Sequence, residues 1–320
     1  KANFSDIVSL TYRFLESPNQ IMVDLNKLPN FFIIGAPKAG TTSLFGILEQ
    51  HAQVCGSTVK ETGFFTKDDR FAKGLDWYEK TYFKNAMGYP VRMEATPTYL
   101  TWSEKSAPRL FDEYPIKDLK FAVIFRDPVK RAYSHYWHRV RMGQETLPFE
   151  EAINQESSRI SENYAELYRT GNGMYGYFRA GCYASRLKPF LERFEKTRFL
   201  FLLQEDIFPA EFDRTAKKMQ EFLDLNETTP LTYQKSNQAT IPRKNWFIAL
   251  YWKFKHTFLG QIYRKTVKDQ VRKSIYTTVF PPSSYPPMNE DFANQLSQKY
   301  VPEIKELEQI IERDLSGWYS

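Results

Sequence analysis

The stretch Asn30-Phe-Phe-Ile-Ile-Gly35-Ala-Pro-Lys-Ala-Gly-Thr-Thr-Ser43 decides the fold. Its first half is a short apolar run that stops at Gly and Pro. From Thr41 through Ser43, Leu44, Ile47 and Leu48 the spacing is helical. The segment reads as strand, tight loop, helix. The same grammar recurs downstream: Val91–Glu94, Leu119–Phe125 and Phe199–Leu203 read as further buried strands, with helical patterns over Pro128–Met142, Tyr183–Phe194 and Ala210–Leu223. Strands alternating with helices predict an α/β fold, a P-loop-like, doubly wound and mostly parallel sheet flanked by helices, with its ligand at the carboxyl ends of the strands. No internal repeat and no Gly/Ser linker divides the chain, so we read a single domain.

The 320 residues suffice for a large core without disulfides or metal. With 42% hydrophobic and 16% aromatic residues, the composition excludes a disordered chain. The longest apolar run, Trp246 to Trp252, is far shorter than the roughly 20 residues that span a bilayer. No signal-peptide pattern opens the sequence, which begins at Lys1. Cys55 and Cys182 cannot make a disulfide framework, and the four scattered histidines match no zinc spacing, so no metal is expected and a cytoplasmic location is the simplest fit. Charge is unevenly placed: Arg243 to Lys273 holds nine Lys or Arg against Asp269 alone, while the whole chain carries only +6.

The loop Gly35–Ser43 sits where backbone N–H groups and the positive helix end make an anion site, with Ala39, Gly40, Thr41, Thr42 and Ser43 as its donors. A nucleoside triphosphatase would carry Gly-x-x-x-x-Gly-Lys-[Ser/Thr], its lysine reaching the β- and γ-phosphates. Here the glycines are correctly spaced, but Thr41 replaces that lysine. Lys38, inside the loop, would instead meet the end of a shorter, diphosphate-like anion. An ordinary Gly-rich turn without a ligand is the plain alternative for this loop alone.

The loop resembles the 5′-phosphosulfate loop of sulfotransferases that use 3′-phosphoadenosine 5′-phosphosulfate (PAPS). Arg126-Asp-Pro-Val-Lys-Arg131-Ala-Tyr-Ser134-His-Tyr136 matches that family's Arg-Asp-Pro-x-x-Arg-x-x-Ser-x-Tyr signature at every defined position. Val59-Lys-Glu-Thr-Gly-Phe-Phe65 and Lys73-Gly-Leu-Asp-Trp-Tyr78 look like segments of the heparan-sulfate-type and related bacterial enzymes. Gly181-Cys-Tyr-Ala184 resembles their Gly-x-Tyr helix start, and Asn237–Arg243 a cofactor-covering loop. Pro286–Met288 to Asp314–Trp318 is similar to a closing helix of the bacterial branch. The resemblance implies an amino-terminal extension at residues 1–29 and a sulfotransferase domain at 30–320, with 243–285 a basic, aromatic, helical cover segment. It also implies PAPS as co-substrate, bound by the loop from Lys38 to Ser43, by Arg126 and Ser134 at the 3′-phosphate, and by Tyr183 and Arg243.

Sulfuryl transfer needs an in-line geometry, a base for the acceptor proton and a cation for the leaving phosphate. The resemblance assigns the base to Glu61, whose pKa partial burial would raise, and Lys38 is the leading cation. Where the family often places a second lysine, in Glu-Lys-[Ser/Thr]-Pro, this chain reads Glu94-Ala-Thr-Pro97. The second cation is thus unassigned, with Lys60 as a substitute. Glu94 is a reserve base or, in the preferred reading, a strand-end residue holding Arg126 or a backbone group. His135 and His138 read as structural.

The acceptor is read as a hydroxyl, or an amine or guanidine nitrogen, on a small molecule or glycan. Gly63 stands where the heparan-sulfate enzymes carry a histidine, which with Ala95 weakens a glycosaminoglycan reading. The basic aromatic segment 243–273 reads as a cover over the cofactor, a surface for an anionic acceptor or membrane, or, least well supported, a nucleic-acid surface. A kinase on the same sheet, or a silent binder of nucleotide or anionic glycan, are the rival functions. Thr41 argues against the first, and the pair Lys38 and Glu61 against the second.

Overall fold

A computed structural model of the chain describes residues 23–207, 209–226, 229–233 and 285–319. Five parallel strands form one sheet: β1 (Phe31–Gly35), β2 (Val54–Gly56), β3 (Val91–Ala95), β4 (Lys120–Phe125) and β5 (Phe199–Leu203), in the order β2-β3-β1-β4-β5. β1, β3, β4 and β5 lie where the apolar runs predict them. β2, three residues long, has no such run and escapes the sequence reading.

Six of the longer helices among the described residues are α1 (Thr41–Leu48), α2 (Gly74–Tyr82), α3 (Pro128–Arg141), α4 (Tyr183–Leu191), α5 (Phe212–Phe222) and α6 (Glu290–Ile311). Every residue of β1 and β5 is buried, as expected of strands covered on both faces. Phe32, at the sheet centre, packs against Phe121 of β4 and edge-on against Phe65 and Tyr114. Phe121 continues the aromatic layer to Phe199, Phe190 and Phe194. Leu28, just before β1, is fully buried in the same core.

The strand order has a functional consequence. The chain returns from β3 to lie beside β1 and then crosses to β4 on the other side, so connections leave β1's neighbours in opposite directions. A crevice opens at such a reversal, above the carboxyl ends of the strands. The starts of α1 and α3 border it. Pro128 occupies the first turn of α3, and the Asp127 carboxylate accepts from the N–H groups of Val129 and Lys130 at 2.9 and 3.1 Å, so this helix start is capped. α1 has no side-chain cap; Gly40, at φ 113°, turns the chain into it.

Packing at the end of β1 is tight. A Cβ on Gly35 would lie 2.6 Å from the Leu100 Cβ, whereas one on Gly46, inside α1, meets nothing within 4 Å. Gly35→Ala is expected to lower stability by about 1–3 kcal/mol through overpacking, and Gly46→Ala to raise it by about 0.5–1 kcal/mol. Urea unfolding of the two variants checks the pair.

Candidate active site

All five strand ends contribute to one cavity of about 620 Å³. The segment after β1 supplies Lys38, Gly40, Thr41, Thr42 and Ser43, and the loop after β2 supplies Glu61. Pro97 and Thr98 follow β3, Arg126 follows β4, and Gln204 and Ile207 follow β5. α3 adds Ser134, His135, His138, Arg139 and Arg141, and Tyr233 and Tyr285 complete the wall. The sequence placed Lys38, Gly40, Thr41, Thr42, Ser43, Glu61, Arg126 and Ser134 at the site, and the fold brings these together.

The remaining expected residues stand differently. Ala39 is fully buried behind the loop, its N–H donating to the Ala36 carbonyl at 3.2 Å, so it shapes the turn and offers no donor to the cavity. Tyr183 is buried, and its hydroxyl donates to the Arg126 carbonyl at 2.7 Å. It supports Arg126 from behind the cavity wall, a correction to its expected place against the cofactor. Arg243 and residues 243–284 lie outside the described residues, as do residues 1–22.

The first-turn N–H groups of α1 have no intrahelical acceptors, which suits them to an anion. Lys38 overlooks this end of the cavity. Burial first, then the charges of Arg141 and Arg126, bring its ammonium down to about 8 from the ordinary 10.5, with Glu61 opposing. Arg126 donates to the Lys38 carbonyl at 3.2 Å, tying the end of β4 to the anion loop. Lys38 and Glu61 are two of five non-glycine residues at positive φ among the described residues, at 70° and 66°. Such backbone costs about 1–3 kcal/mol and concentrates where function requires a fixed side-chain direction.

Glu61 is held at its backbone rather than by burial. Its N–H donates to the Ala95 carbonyl at the end of β3 at 3.0 Å, and Phe64 and Phe65 anchor the following residues in the core. The side chain is 58% exposed and its Oε1 lies 2.7 Å from the Lys60 Nζ. This corrects two expectations: Glu61 lacks the partial burial foreseen for it, and Lys60 neutralises Glu61 instead of lining the cavity as a second cation.

Glu94 is corrected as well. It is fully buried and, among the described residues, is hydrogen-bonded by hydroxyls and not by Arg126 or a backbone group: its carboxylate accepts from Thr96, Tyr78 and Tyr99, the last at 2.9 Å. Burial pushes its carboxyl up, and these hydrogen bonds pull it back. The hydroxyls in turn hold the Glu61 loop: the Gly63 N–H donates to the Thr96 Oγ1 at 3.1 Å and the Phe65 N–H to the Tyr99 hydroxyl at 3.3 Å. Glu94 therefore acts at one remove, through the loop that carries Glu61.

The sequence reading did not single out Arg139 and Arg141, which line the cavity together with His135 and His138; His135 is buried and accepts from Arg139, in keeping with its structural reading. Their helical spacing after Ser134 was the available signal. No His/Cys/Asp/Glu cluster suited to a metal occurs among the described residues.

Two outcomes follow from this geometry. Thr96→Val strands the Gly63 N–H and one Glu94 oxygen in the core; it is expected to cost about 1–3 kcal/mol in urea unfolding and to deprotect amides 61–65 more than those of β4 in hydrogen exchange. For Lys38, only the ammonium holds an anion, so affinity for adenosine 3′,5′-bisphosphate (PAP) is expected to fall as pH rises through about 8, and Lys38→Met to remove that limb in a calorimetric titration. The unliganded native chain releases this proton before the unfolded chain does, so its stability rises from about 8 toward 10.5.

Comparison with known proteins converges on one family. The family model described as sulfotransferase domain matches residues 28–274. The membrane-associated sulfotransferase kil1 of Dictyostelium discoideum is 32% identical over 171 residues, 48% of this chain and 35% of its own. The heparan sulfate glucosamine 3-O-sulfotransferase 3B1 of Mus musculus is 30% identical over 201 residues, 62% of this chain and 47% of its own. The chain thus spans about a third to a half of the length of these curated relatives. Among solved structures, a sulfotransferase from Alicyclobacillus acidocaldarius superimposes with a TM-score of 0.65 at 26% identity, covering 92% of this chain and 99% of that one. With most of its length matched by the family model and its sheet shared with a solved member, the chain belongs to the sulfotransferase-domain family.

Proposed function

We propose that this chain moves the sulfuryl group of PAPS to a hydroxyl, or a nitrogen, of a small-molecule or glycan acceptor. The observation that carries the reading is the convergence on one cavity of an uncapped helix start, Lys38, Arg126, Ser134 and Glu61. The donor's 5′-phosphosulfate lies against the start of α1, and its 3′-phosphate is held by the Arg126 guanidinium and the Ser134 hydroxyl. The acceptor oxygen attacks sulfur in line. The bond from sulfur to the bridging oxygen breaks with its electrons passing to the 5′-phosphate, and the acceptor proton goes to the Glu61 carboxylate.

Lys38 stabilises the charge that grows on the leaving phosphate. With its ammonium near 8, it is mostly charged at neutral pH and carries a readily polarised proton toward the developing anion. Lys60 holds the Glu61 carboxylate in place before the acceptor arrives. The Thr41 position, where a triphosphatase needs lysine, supports a shorter anion than a nucleoside triphosphate.

Release of PAP from labelled PAPS, with water alone and with a panel of hydroxyl acceptors, tests the reading. Glu61→Gln is expected to lower acceptor-dependent turnover by about two to four orders of magnitude while PAP still binds. Lys38→Ala is expected to weaken binding and turnover together, since it meets ground-state and transition-state charge alike. Undiminished turnover in Glu61→Gln removes it as the base.

A further inference from the structure

Arg131 is among the largest fully buried side chains of the protein, on α3 and one helical turn before Ser134. A guanidinium out of reach of water is costly unless its charge and its donors are met inside the core. Its Nη2 donates to the Tyr177 carbonyl, while Nε and Nη1 have no hydrogen-bond partner among the described residues.

The compensating charge lies on the far side of that carbonyl. The Tyr177 carbonyl and the Phe178 N–H belong to one peptide group, and this N–H donates to the Glu156 Oε2 at 2.5 Å. The Arg179 N–H donates to Oε1 of the same carboxylate at 2.7 Å. Glu156, the first residue of the helix Glu156–Glu162, is itself buried. Burial pushes its carboxyl up to about 7, against the pull of those two N–H groups and of the Arg131 charge. A guanidinium and a carboxyl group, both inside the core, thus grip opposite ends of one peptide dipole, and each polarises it in the sense that strengthens the other bond.

The Tyr300 hydroxyl, from α6, closes on the same backbone, 3.3 Å from the Tyr177 carbonyl oxygen and 2.9 Å from that of Phe178. Gly181 permits this approach, since a Cβ there would lie 2.7 Å from the Tyr300 hydroxyl oxygen. The segment held in this way reaches both residues assigned to the 3′-phosphate. At one end the Tyr177 carbonyl pins Arg131, and Arg131 and Ser134, three residues apart, share a face of α3. At the other end the Tyr183 hydroxyl donates to the Arg126 carbonyl. Ser134 and Arg126 are among the residues that line the cavity, whereas Arg131, Glu156, Tyr177 and Tyr183 are not.

We propose that Arg131 and Glu156, joined through the peptide group of Tyr177 and Phe178, are positioning residues for recognition of the donor's 3′-phosphate. They set Ser134 and Arg126 relative to one another from inside the core and do not touch the nucleotide. This inference rests on the donor reading above. Loss of the pair is then felt at the 3′-phosphate, while the 5′ end stays with Lys38 and the start of α1 on the β1 side of the cavity.

The ratio of two dissociation constants, that of adenosine 5′-phosphate over that of PAP, isolates the 3′-phosphate and is measured calorimetrically on the full chain. Arg131→Met, checked for cooperative melting, is expected to lower this ratio about tenfold, toward one, while affinity for adenosine 5′-phosphate changes by less than about threefold. Arg131→Lys, which keeps the charge and a donor for the Tyr177 carbonyl, should restore part of the ratio. Glu156→Gln preserves the shape and one acceptor but removes the charge; it is expected to lower the ratio by about threefold or more, and it decides the matter where Arg131→Met does not melt cooperatively. A ratio unchanged in the folded variants, or a fall of both affinities in proportion, makes the pair a support of stability alone and overturns the proposal. An unmodified chain that does not distinguish the two nucleotides sinks the donor reading and this one with it, whereas a preference for PAP that the variants retain sinks this one alone.

Discussion

The uncapped start of α1 is the constraint around which the rest is arranged. A helix that begins at the carboxyl end of a central buried strand leaves its first N–H groups without acceptors in its own ladder, and Gly40 at its start brings no capping side chain. α3, starting beside it from β4, shows the contrast: Asp127 closes that helix start with two hydrogen bonds. Of two neighbouring helix starts at the reversal of the sheet, one is sealed by its own carboxylate and the other has no cap from its N-cap residue, the start to which the proposed function assigns the donor's anion. Lys38 and Arg126 then add full charges beside the partial charge of the open one.

Around this point the protein commits buried polar groups to hold exposed ones. Glu94 would be an expensive residue for a core if its carboxylate were alone, but Tyr78, Thr96 and Tyr99 surround it with donors. Two of those hydroxyls pass the order on to the backbone of residues 63–65. Glu61 therefore stays exposed while its backbone is fixed. Tyr183 does the equivalent for Arg126 from behind. Rigid support and accessible chemistry are thus separated by one hydrogen bond in each case.

Much of this was legible in the residues. β1, β4 and β5 are continuous apolar runs because both faces are covered, and the Gly35–Ser43 loop and the Arg126–Tyr136 signature mark two of the segments that line the cavity. β2 was not legible: Val54–Gly56 is too short for a pattern, and it is a strand because β3 offers it an edge. The roles of Glu94 and Lys60 depend on partners brought together by folding, and local spacing carries no record of them. His135 and His138 look like ordinary helix residues until Arg139 and Arg141 determine which ring nitrogens keep their protons. Tyr183 sits in a motif that resembles a cofactor contact, yet its hydroxyl is taken by a carbonyl that only the fold places within reach.

Under the proposed function the cavity recognises a nucleotide with phosphates at both 3′ and 5′ positions. Equilibrium titration of the unmodified chain with PAP, with adenosine 5′-phosphate and with ATP plus magnesium tests it most directly. PAP is expected to bind more tightly than adenosine 5′-phosphate by about tenfold or more, the worth of charged hydrogen bonds to the 3′-phosphate from Arg126 and Ser134, and ATP with magnesium more weakly than PAP. Equal affinity for PAP and adenosine 5′-phosphate, or preference for ATP with magnesium, would contradict it.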